Sequence, residues 1–495
     1  MRLSLSMNKL HRYLVWGILT LCYYLVYSDK LNHVIAYHEQ HHLFLFTEAY
    51  FKEQVASAGI LSYLTDFLIQ FFYYPALGSF LLSLLIASVY LLTQSIINKL
   101  FGKEDFLLLS VIPSLILFFH TIDATHNLVP VTASVLLLSG GNLLLMIFRR
   151  NLPLFPIFKH WQIQNQKWRI SIMGIALIAY AIFAVHQFSE KYNKDEALLL
   201  KAEMYAKNQK WQQVLKYTQE YLNGQKTTPA ISQFHYLALY HTGQLPQKLF
   251  DFPHPLGMNS LYIPWSTNPT ETEYGHYIYK DLGLINEAHR WEFEAMVAWG
   301  ETASHLLNLA RYNVIMQRPK VAQRFLNPLK ESLFYKESAL QLEKQSKSGK
   351  VEGFRNALAE VPDSLIWFTN PKNLGSELKK LCDYDPNNKM AFEYYMCTLL
   401  LGNYVATFVE NLPRIKNFDY SSLPPIFEEA LLVHKLQVGE EAFAKTGFTI
   451  SPVTEARFDR YYELTVQNQM TQLHREFGKT FWYYLNHTTP YKKKK

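Results

Sequence analysis

The sequence predicts an all-α fold in two parts: an N-terminal transmembrane helical bundle of about five spans over residues 1–189, and a TPR-like α-solenoid over residues 190–495. Two observations lead to this prediction. Long apolar runs occur only before about residue 190. After that point apolar residues recur every three or four positions, as they do in amphipathic helices that bury one face. A chain of 495 residues is long enough for both parts.

Five apolar runs in the first part have the length of membrane spans. Each covers about 17 to 22 residues, which matches a hydrocarbon layer of roughly 30 Å. The first could be a signal peptide, but Tyr27-Ser28-Asp29-Lys30 offers no cleavage site flanked by small residues, so a retained anchor is expected. The predicted spans lie near residues 10–27, 76–97, 106–122, 128–148 and 170–188.

The segment near residues 36–74 is predicted to be an interfacial helix. Residues 60–74 are apolar but short for a span, and they include Asp66 and Gln70. These two polar residues are one helical turn apart, so we expect them to mark a water-facing stripe.

Basic residues beside the runs predict the orientation. They form three groups: Lys9 with Arg12, Lys99 with Lys103, and a cluster between Arg149 and Arg169. If the N-terminus is cytoplasmic, all three groups fall on the cytoplasmic side. Five spans then place the C-terminal domain outside the cytoplasm. If residues 60–74 also span, the orientation of that domain reverses.

The second part contains successive amphipathic helices. A Pro-containing break at Asp385–Asn388 precedes an apolar helix that ends near Gly402. This pattern is similar to the boundary between tetratricopeptide (TPR) repeats, although no fixed period is visible in the residues. Stacked helix pairs form curved faces that commonly bind a peptide or protein. The proline-rich residues 246–269 are expected to form an ordered loop.

Several segments of the chain resemble a group of Bacteroidota multi-pass membrane proteins, classed under a domain of unknown function, with a TPR-like C-terminal half. The segments that carry the resemblance are 39–50, 63–78, 289–295, 385–395 and 477–484. The resemblance implies the inner membrane of a Gram-negative cell and a periplasmic solenoid. It implies no catalytic activity, and this chain has fewer spans than longer members of the group.

Charge and cysteine content exclude some classes of function. The net charge of +7 is scattered beside the apolar runs, so no nucleic-acid partner is expected. The three cysteines, Cys22, Cys382 and Cys397, give no disulfide framework, and the last two are expected to be buried thiols. No phosphate-binding loop, dinucleotide fingerprint or nucleophile elbow occurs, and no cofactor is predicted.

The sequence His38-Glu39-Gln40-His41-His42 satisfies the H-E-x-x-H pattern of zinc hydrolases. On a helix, His38 and His42 would lie one turn apart as metal ligands, and Glu39 would activate a metal-bound water. No motif for a third ligand follows, and the chain has 18 histidines. An ordinary polar helix face is therefore the competing interpretation.

A second enzymatic hypothesis is a glycosyltransferase-like membrane enzyme. Asp29, Glu39 and Glu48 follow the first span and could act as a general base toward a lipid-linked sugar. His120, Asp123 and His126 occupy a short loop between two spans, where polar residues are expected simply because the turn is hydrated.

The leading functional prediction is a scaffold or partner-binding module in the cell envelope, with the lipid bilayer and a protein or envelope component as partners. The alternative is a membrane enzyme of one of the two types above. The sequence leaves open which of them is correct.

Overall fold

The computed structural model describes residues 2–101, 105–148, 166–265, 268–348 and 374–491, and every regular element within these ranges is helical. The all-α prediction is thereby confirmed. The chain divides into two compact units. The N-terminal unit comprises Met1–Leu200, Glu301–Ser304 and Asn327–Leu340, and the C-terminal unit contains the rest. The first unit thus extends past residue 189 and includes two segments from much later in the chain.

The N-terminal unit is built around eight α-helices and a 3₁₀ turn. The helices are α1 (Arg2–Asp29), α2 (Asn32–His41), α3 (Glu48–Ala58), α4 (Ile60–Ile69), α5 (Pro75–Phe101), α6 (Val111–His120), α7 (Val129–Phe148) and α8 (Gln166–Lys191), and the 3₁₀ turn Gln70–Tyr73 joins α4 to α5.

Three helices of this unit are long and apolar enough to cross a membrane. They are Pro75–Leu100 in α5, Val129–Phe148 in α7 and Lys167–Lys191 in α8. They coincide with three of the five predicted spans. The apolar part of α8 has none of its residues buried within the protein, and Ile182 is 67% exposed. An apolar surface of this kind is compatible with a membrane protein.

The other two predicted spans do not form helices that are both long and apolar enough to cross a membrane. Helix α1 covers residues 10–27 but is not among the helices that are apolar enough to span, because Arg12 and several tyrosines lower its mean hydropathy. The run 106–122 contains only the ten residues of α6 as helix. Asp105 accepts hydrogen bonds from the backbone of Leu109 and Ser110, at 2.9 and 2.8 Å, and this capping turn delays the start of the helix to Val111.

Side-chain contacts fix the direction of each long helix. Arg12 Nε donates to Gln94 Oε1 at 2.7 Å. Further along α1, Tyr23 bonds to Ser114, which donates to the carbonyl of Ile86. As the chain advances along α1, its contacts therefore move backward along α5, so these two helices are antiparallel.

The remaining helices alternate in the same way. Helix α6 is parallel to α1, since Tyr23 bonds to Ser114 and Tyr27 bonds to Thr121. Helix α7 is parallel to α5: its first residues pack with Leu82 and Ile86, whereas Asn142 binds Lys99. Helix α8 runs in the same direction as α1. Thus α1, α6 and α8 run one way through the unit, and α5 and α7 run the other way.

The C-terminal unit consists of shorter helices, several of which pack as sequential pairs. The helices from residue 194 onward are α9 (Lys194–Lys207), α10 (Trp211–Leu222), α11 (Pro229–His241), α12 (Leu245–Lys248), α13 (Pro269–Leu282), α14 (Ile285–Trp299), α15 (Ala303–Ile315), α16 (Pro319–Lys330), α17 (Lys336–Ser348), α18 (Leu374–Tyr384), α19 (Lys389–Leu401), α20 (Val405–Asn411), α21 (Pro425–Val438), α22 (Glu440–Ala444), α23 (Pro452–Val466), α24 (Met470–Phe477) and α25 (Phe481–Tyr483). Pairs α10–α11, α13–α14 and α18–α19 pack closely.

Two consecutive pairs of alternate helices start at the same interval. Helices α13 and α15 begin 34 positions apart, and so do α14 and α16. The pair α13–α14 packs tightly because Gly275 lies directly against the Trp291 ring, where a β-carbon would be 2.1 Å from a ring atom. Cys382 and Cys397 are buried and free, as predicted.

Candidate functional site

The two histidines of the H-E-x-x-H pattern are neighbours, but they do not lie on one helical face. Helix α2 ends at His41, and the backbone of His42 is extended. His42 Nδ1 donates to the carbonyl oxygen of His38 at 2.7 Å, and the two ring centroids are 5.7 Å apart. His38 is 2% exposed, and burial lowers its pKa well below the usual range.

The structure gives the zinc-hydrolase hypothesis no further ligand. Among the residues that the structure describes, no three histidine, cysteine, aspartate or glutamate side chains are arranged to hold a metal ion. The assignment of His38 and His42 as metal ligands stays a prediction.

The three predicted acidic residues are not brought together. Asp29 and Glu48 both have side chains that are 79% exposed, and each lies beside a lysine, Lys30 or Lys52. Glu39 lines a small cavity, together with His42 and Asp66. The proposed general base of a glycosyltransferase-like enzyme therefore has no acidic partner from this set.

Asp66 is buried, which corrects the expectation of a water-facing stripe. It is 7% exposed, and Gln54 Nε2 donates to its Oδ2 at 2.6 Å. Its Oδ1 is 3.8 Å from His42 Nε2. Burial raises the pKa of Asp66 to about 6, although hydrogen bonds from Gln54 and Tyr50 act in the opposite direction. The sequence pointed to Asp66 but not to its burial, because a polar position on an apolar helix looks the same whether its partner is water or protein.

The cavity beside Asp66 is too small for a substrate. Its volume is about 20 Å³, and its remaining walls include Gln70 and the loop Ser332–Tyr335. A cavity of this size has room for roughly one water molecule. It therefore gives no support to a membrane enzyme acting at this point.

The polar loop between α6 and α7 satisfies its own hydrogen bonds. The rings of His120 and His126 stack at 4.7 Å, and each bonds to a backbone carbonyl of the loop. Asp123 accepts hydrogen bonds from the backbone and side chain of Thr125. This geometry fits the hydrated turn that was expected.

A much larger cleft lies in the C-terminal unit. Its volume is about 910 Å³, within the range that ligand sites commonly occupy. Three segments line it: the turn after α10, the proline-containing residues 250–255, and residues 474–488 at the end of the unit. The residues that line the cleft and are used below are Asn223, Gln225, Phe250, Asp251, Phe252, His474, Arg475, Lys479, Tyr483 and Tyr484.

Aromatic rings form one wall of the cleft. Phe250 and Tyr484 pack with their centroids 5.0 Å apart, and the Tyr484 hydroxyl donates to the carbonyl of Leu401 at 2.6 Å. His474 and Tyr483 lie 5.3 Å apart. Packing fixes the positions of Phe250 and Tyr484, which are buried, while Phe252 and Tyr483 are half-buried at the wall of the cleft.

Cationic side chains stand at the edge of the cleft. Lys479 Nζ is 3.6 Å from Asp251 Oδ1, so this pair is largely neutral. Glu476 is engaged by Arg460 at 3.6 Å and by Gln472 at 2.7 Å. Arg475 is exposed and forms no ion pair or hydrogen bond within the described part of the chain. The acidic groups are thus occupied, whereas the guanidinium of Arg475 is available to an anionic ligand.

A buried glutamate holds the C-terminal wall in place. Glu429 Oε2 accepts the Phe481 backbone N–H at 2.8 Å, and its carbonyl accepts Trp482 Nε1 at 3.0 Å. Burial raises the pKa of Glu429 to about 7. The sequence did not indicate this cleft, because its third segment lies more than 200 residues after the other two and none of the three carries a motif.

Comparison with known proteins places the chain in a family. Residues 6–161 and 140–488 match the sequence profile described as "Family of unknown function (DUF6057)". The chain belongs to this family. The match covers both units and agrees with the unknown-function domain expected from the sequence. No curated protein and no solved structure is significantly similar to the chain.

Proposed function

We propose that this member of the family is a membrane-anchored binding module whose C-terminal unit captures an acidic, extended segment of a partner protein. The observation that carries the proposal is the 910 Å³ cleft with its fixed aromatic wall and the available guanidinium of Arg475. Cations that are not already paired favour carboxylates at such a site. Grooves lined by aromatic rings commonly accept extended peptides.

The amide side chains in the cleft suit a peptide backbone. Asn223 and Gln225 lie in the turn after α10, and both are exposed to the cleft. Each amide can donate to a carbonyl oxygen and accept from an N–H group. A peptide held in this way would place acidic side chains toward Arg475 and apolar ones toward Phe252 and Tyr483.

The regular helix spacing supports a TPR-like architecture for this unit. The interval of 34 residues between the starts of α13 and α15, and of α14 and α16, equals the repeat length of TPR proteins. Proteins built from such repeats commonly bind peptides or partner proteins.

The N-terminal unit would anchor this module by crossing the bilayer five times. Helices α1, α6 and α8 run opposite to α5 and α7, which is the alternation that five crossings require. The third crossing would combine the short α6 with the capping turn and loop that flank it. Non-helical backbone at membrane depth is tolerated where it is buried in protein, and Ser114 and Thr121 are fully buried.

We infer that the anchor lies in the inner membrane with the C-terminal unit outside the cytoplasm. Lys99 is at the end of α5, and Lys167 and Arg169 are at the start of α8. The five-crossing arrangement puts these basic residues on one side, together with the N-terminus.

Photo-crosslinking in living cells tests the binding site. A benzoylphenylalanine that replaces Phe252 should crosslink to one partner segment rich in acidic residues. The adduct should be lost with Arg475→Glu but retained with Arg324→Glu, a charge reversal at an exposed arginine away from the cleft.

The same photoreactive residue in place of Phe293, which is exposed on α14, serves as the control for non-specific capture. Identical adducts from positions 252 and 293, or a lipid-linked glycan as the only species bound at 252, would contradict the proposal.

A further inference from the structure

A short loop from late in the chain belongs to the N-terminal unit and exposes an apolar side chain. The loop Glu331–Tyr335 joins α16 to α17. Ser332 is buried and receives a hydrogen bond from the backbone N–H of Tyr335 at 3.2 Å, whereas Leu333 is 53% exposed. The loop is therefore a tight turn with a leucine at its tip.

Aromatic contacts fix the position of this loop within the unit. The Phe334 ring stacks on Tyr73 with centroids 5.2 Å apart and contacts Tyr74 at 5.5 Å. The backbone N–H of Phe46 donates to the carbonyl of Glu331 at 3.0 Å. The loop thus lies at the same level as residues 73 and 74.

Residues 73 and 74 lie at the beginning of the candidate span in α5. Pro75 is the first residue of the apolar helix Pro75–Leu100, so Tyr73 and Tyr74 directly precede the hydrocarbon-crossing segment. Tyrosine is enriched where spans meet the headgroup layer. Tyr74 and Phe46 are each 54% exposed, which extends the apolar surface on both sides of the loop.

We propose that Leu333 and Phe334 form an additional contact with the membrane interface, so that the loop between α16 and α17 rests in the headgroup layer beside the start of α5. The partner is the lipid surface itself. The inference depends on the bilayer placement proposed above and is independent of the cleft.

Depth-dependent quenching tests this contact on the full-length protein in nanodiscs. A Leu333→Cys variant in a Cys22→Ser background is labelled with an environment-sensitive fluorophore; Cys382 and Cys397 are buried. Lipids with a nitroxide in the headgroup or high on the acyl chain should quench this label, and aqueous iodide should have little effect.

Two reference positions make each outcome decisive. Leu436→Cys, on an exposed site of α21, should respond to iodide, and Ile182→Cys, on α8, should respond to acyl-chain nitroxides. If Ile182→Cys is quenched by lipid while Leu333→Cys behaves as Leu436→Cys does, the loop contact is refuted and the spans stand. If Ile182→Cys is not quenched by lipid, the bilayer placement fails, and the loop contact fails with it.

Discussion

Three histidines in the C-terminal unit are buried in environments that disfavour their charged form. Burial lowers the pKa of His235 to about 3, and lowers the pKa values of His254 and His276 to about 4. The unfolded chain binds protons at these positions below about pH 6.5, whereas the folded chain does not. Their contribution to stability is therefore complete above that pH and is lost as the pH falls toward 4.

The substitution His235→Gln should flatten this pH dependence. Glutamine has no proton to gain, and its amide can donate to Thr218 Oγ1, which lies 3.0 Å from His235 Nδ1. Near pH 5 the slope of unfolding free energy against pH should fall by up to about 1.4 kcal/mol per pH unit. Urea unfolding at several pH values measures the slope, and a slope that His235→Gln leaves unchanged would contradict this explanation.

The pH dependence of stability that Asp66 causes has the opposite sign. Its pKa is raised to about 6, so the neutral form stabilises the fold at low pH, and this contribution is lost as the pH rises through 6. Asp66→Asn should therefore stabilise the protein at pH 8 by on the order of 2 kcal/mol and have little effect at pH 4. Thermal unfolding at the two pH values provides the test; equal shifts at both would show that Asp66 is not titrating near 6.

At the scale of single residues, the sequence indicated which side chains carry titratable groups better than it indicated their burial and hydrogen-bond partners. It marked His38, Glu39 and His42, which do lie near one another. It could not show that Asp66 is buried or that Glu429 supports Phe481, because both depend on contacts between residues distant in the chain.

At the scale of helices, close packing of α13 on α14 depends on the absence of a side chain at Gly275. Alanine normally stabilises a helix interior by roughly 0.5–1 kcal/mol relative to glycine. Here its methyl group would overlap the Trp291 ring. Gly275→Ala should therefore destabilise the C-terminal unit, by about 1–3 kcal/mol.

A double substitution separates this overlap from other effects. Trp291→Leu removes the ring, so adding Gly275→Ala to that variant should cost less than it does in the natural sequence. Denaturant midpoints of the four proteins give the coupling. If Gly275→Ala destabilises the Trp291→Leu variant as much as the natural sequence, overlap with the ring is not the cause.

A second prediction at this scale concerns the turn that precedes α6. Asp105 accepts two backbone hydrogen bonds in the turn that precedes this helix, and the loss of these bonds in Asp105→Ala should cost about 1–2 kcal/mol. Asp105→Asn, which keeps one acceptor oxygen, should cost less. Thermal stability in detergent measures both, and equal losses would argue against a capping role.

Helix content was readable from periodicity, whereas helix boundaries were not. Periodicity showed an apolar run at 106–122 but not that Asp105 would hold its beginning in a turn. The 34-residue spacing of α13 and α15 was hidden because equivalent positions carry different residues.

At the scale of the whole chain, the proposed five-crossing arrangement places the loop after α6 and the first residues of α8 on opposite sides. In a Cys22→Ser background, Thr125→Cys should react with a membrane-impermeant maleimide in cells whose outer membrane is permeabilised. Lys167→Cys, at an exposed position near the start of α8, should react only after lysis. Reaction of both in unlysed cells would contradict the arrangement.

The sequence predicts two parts because apolar runs and amphipathic periodicity occupy different regions of it. The assignment of Asn327–Leu340 to the N-terminal unit was not predictable, since a turn such as 331–335 contains no signal for its packing partner. The cleft was missed for the same reason.

The parallel course of α5 and α7 constrains how such a protein can be assembled. In the five-crossing arrangement proposed above, these two parallel helices cannot enter the bilayer together as a hairpin, so the chain would first cross back through residues 105–128. This connecting segment contains only ten helical residues, which are too few to stay in the bilayer on their own. Its hydroxyl groups on Ser114 and Thr121 are satisfied by Tyr23 and Tyr27. Helix α1, which is synthesised before this segment, would therefore serve as the template on which the weakly hydrophobic segment is accepted into the lipid.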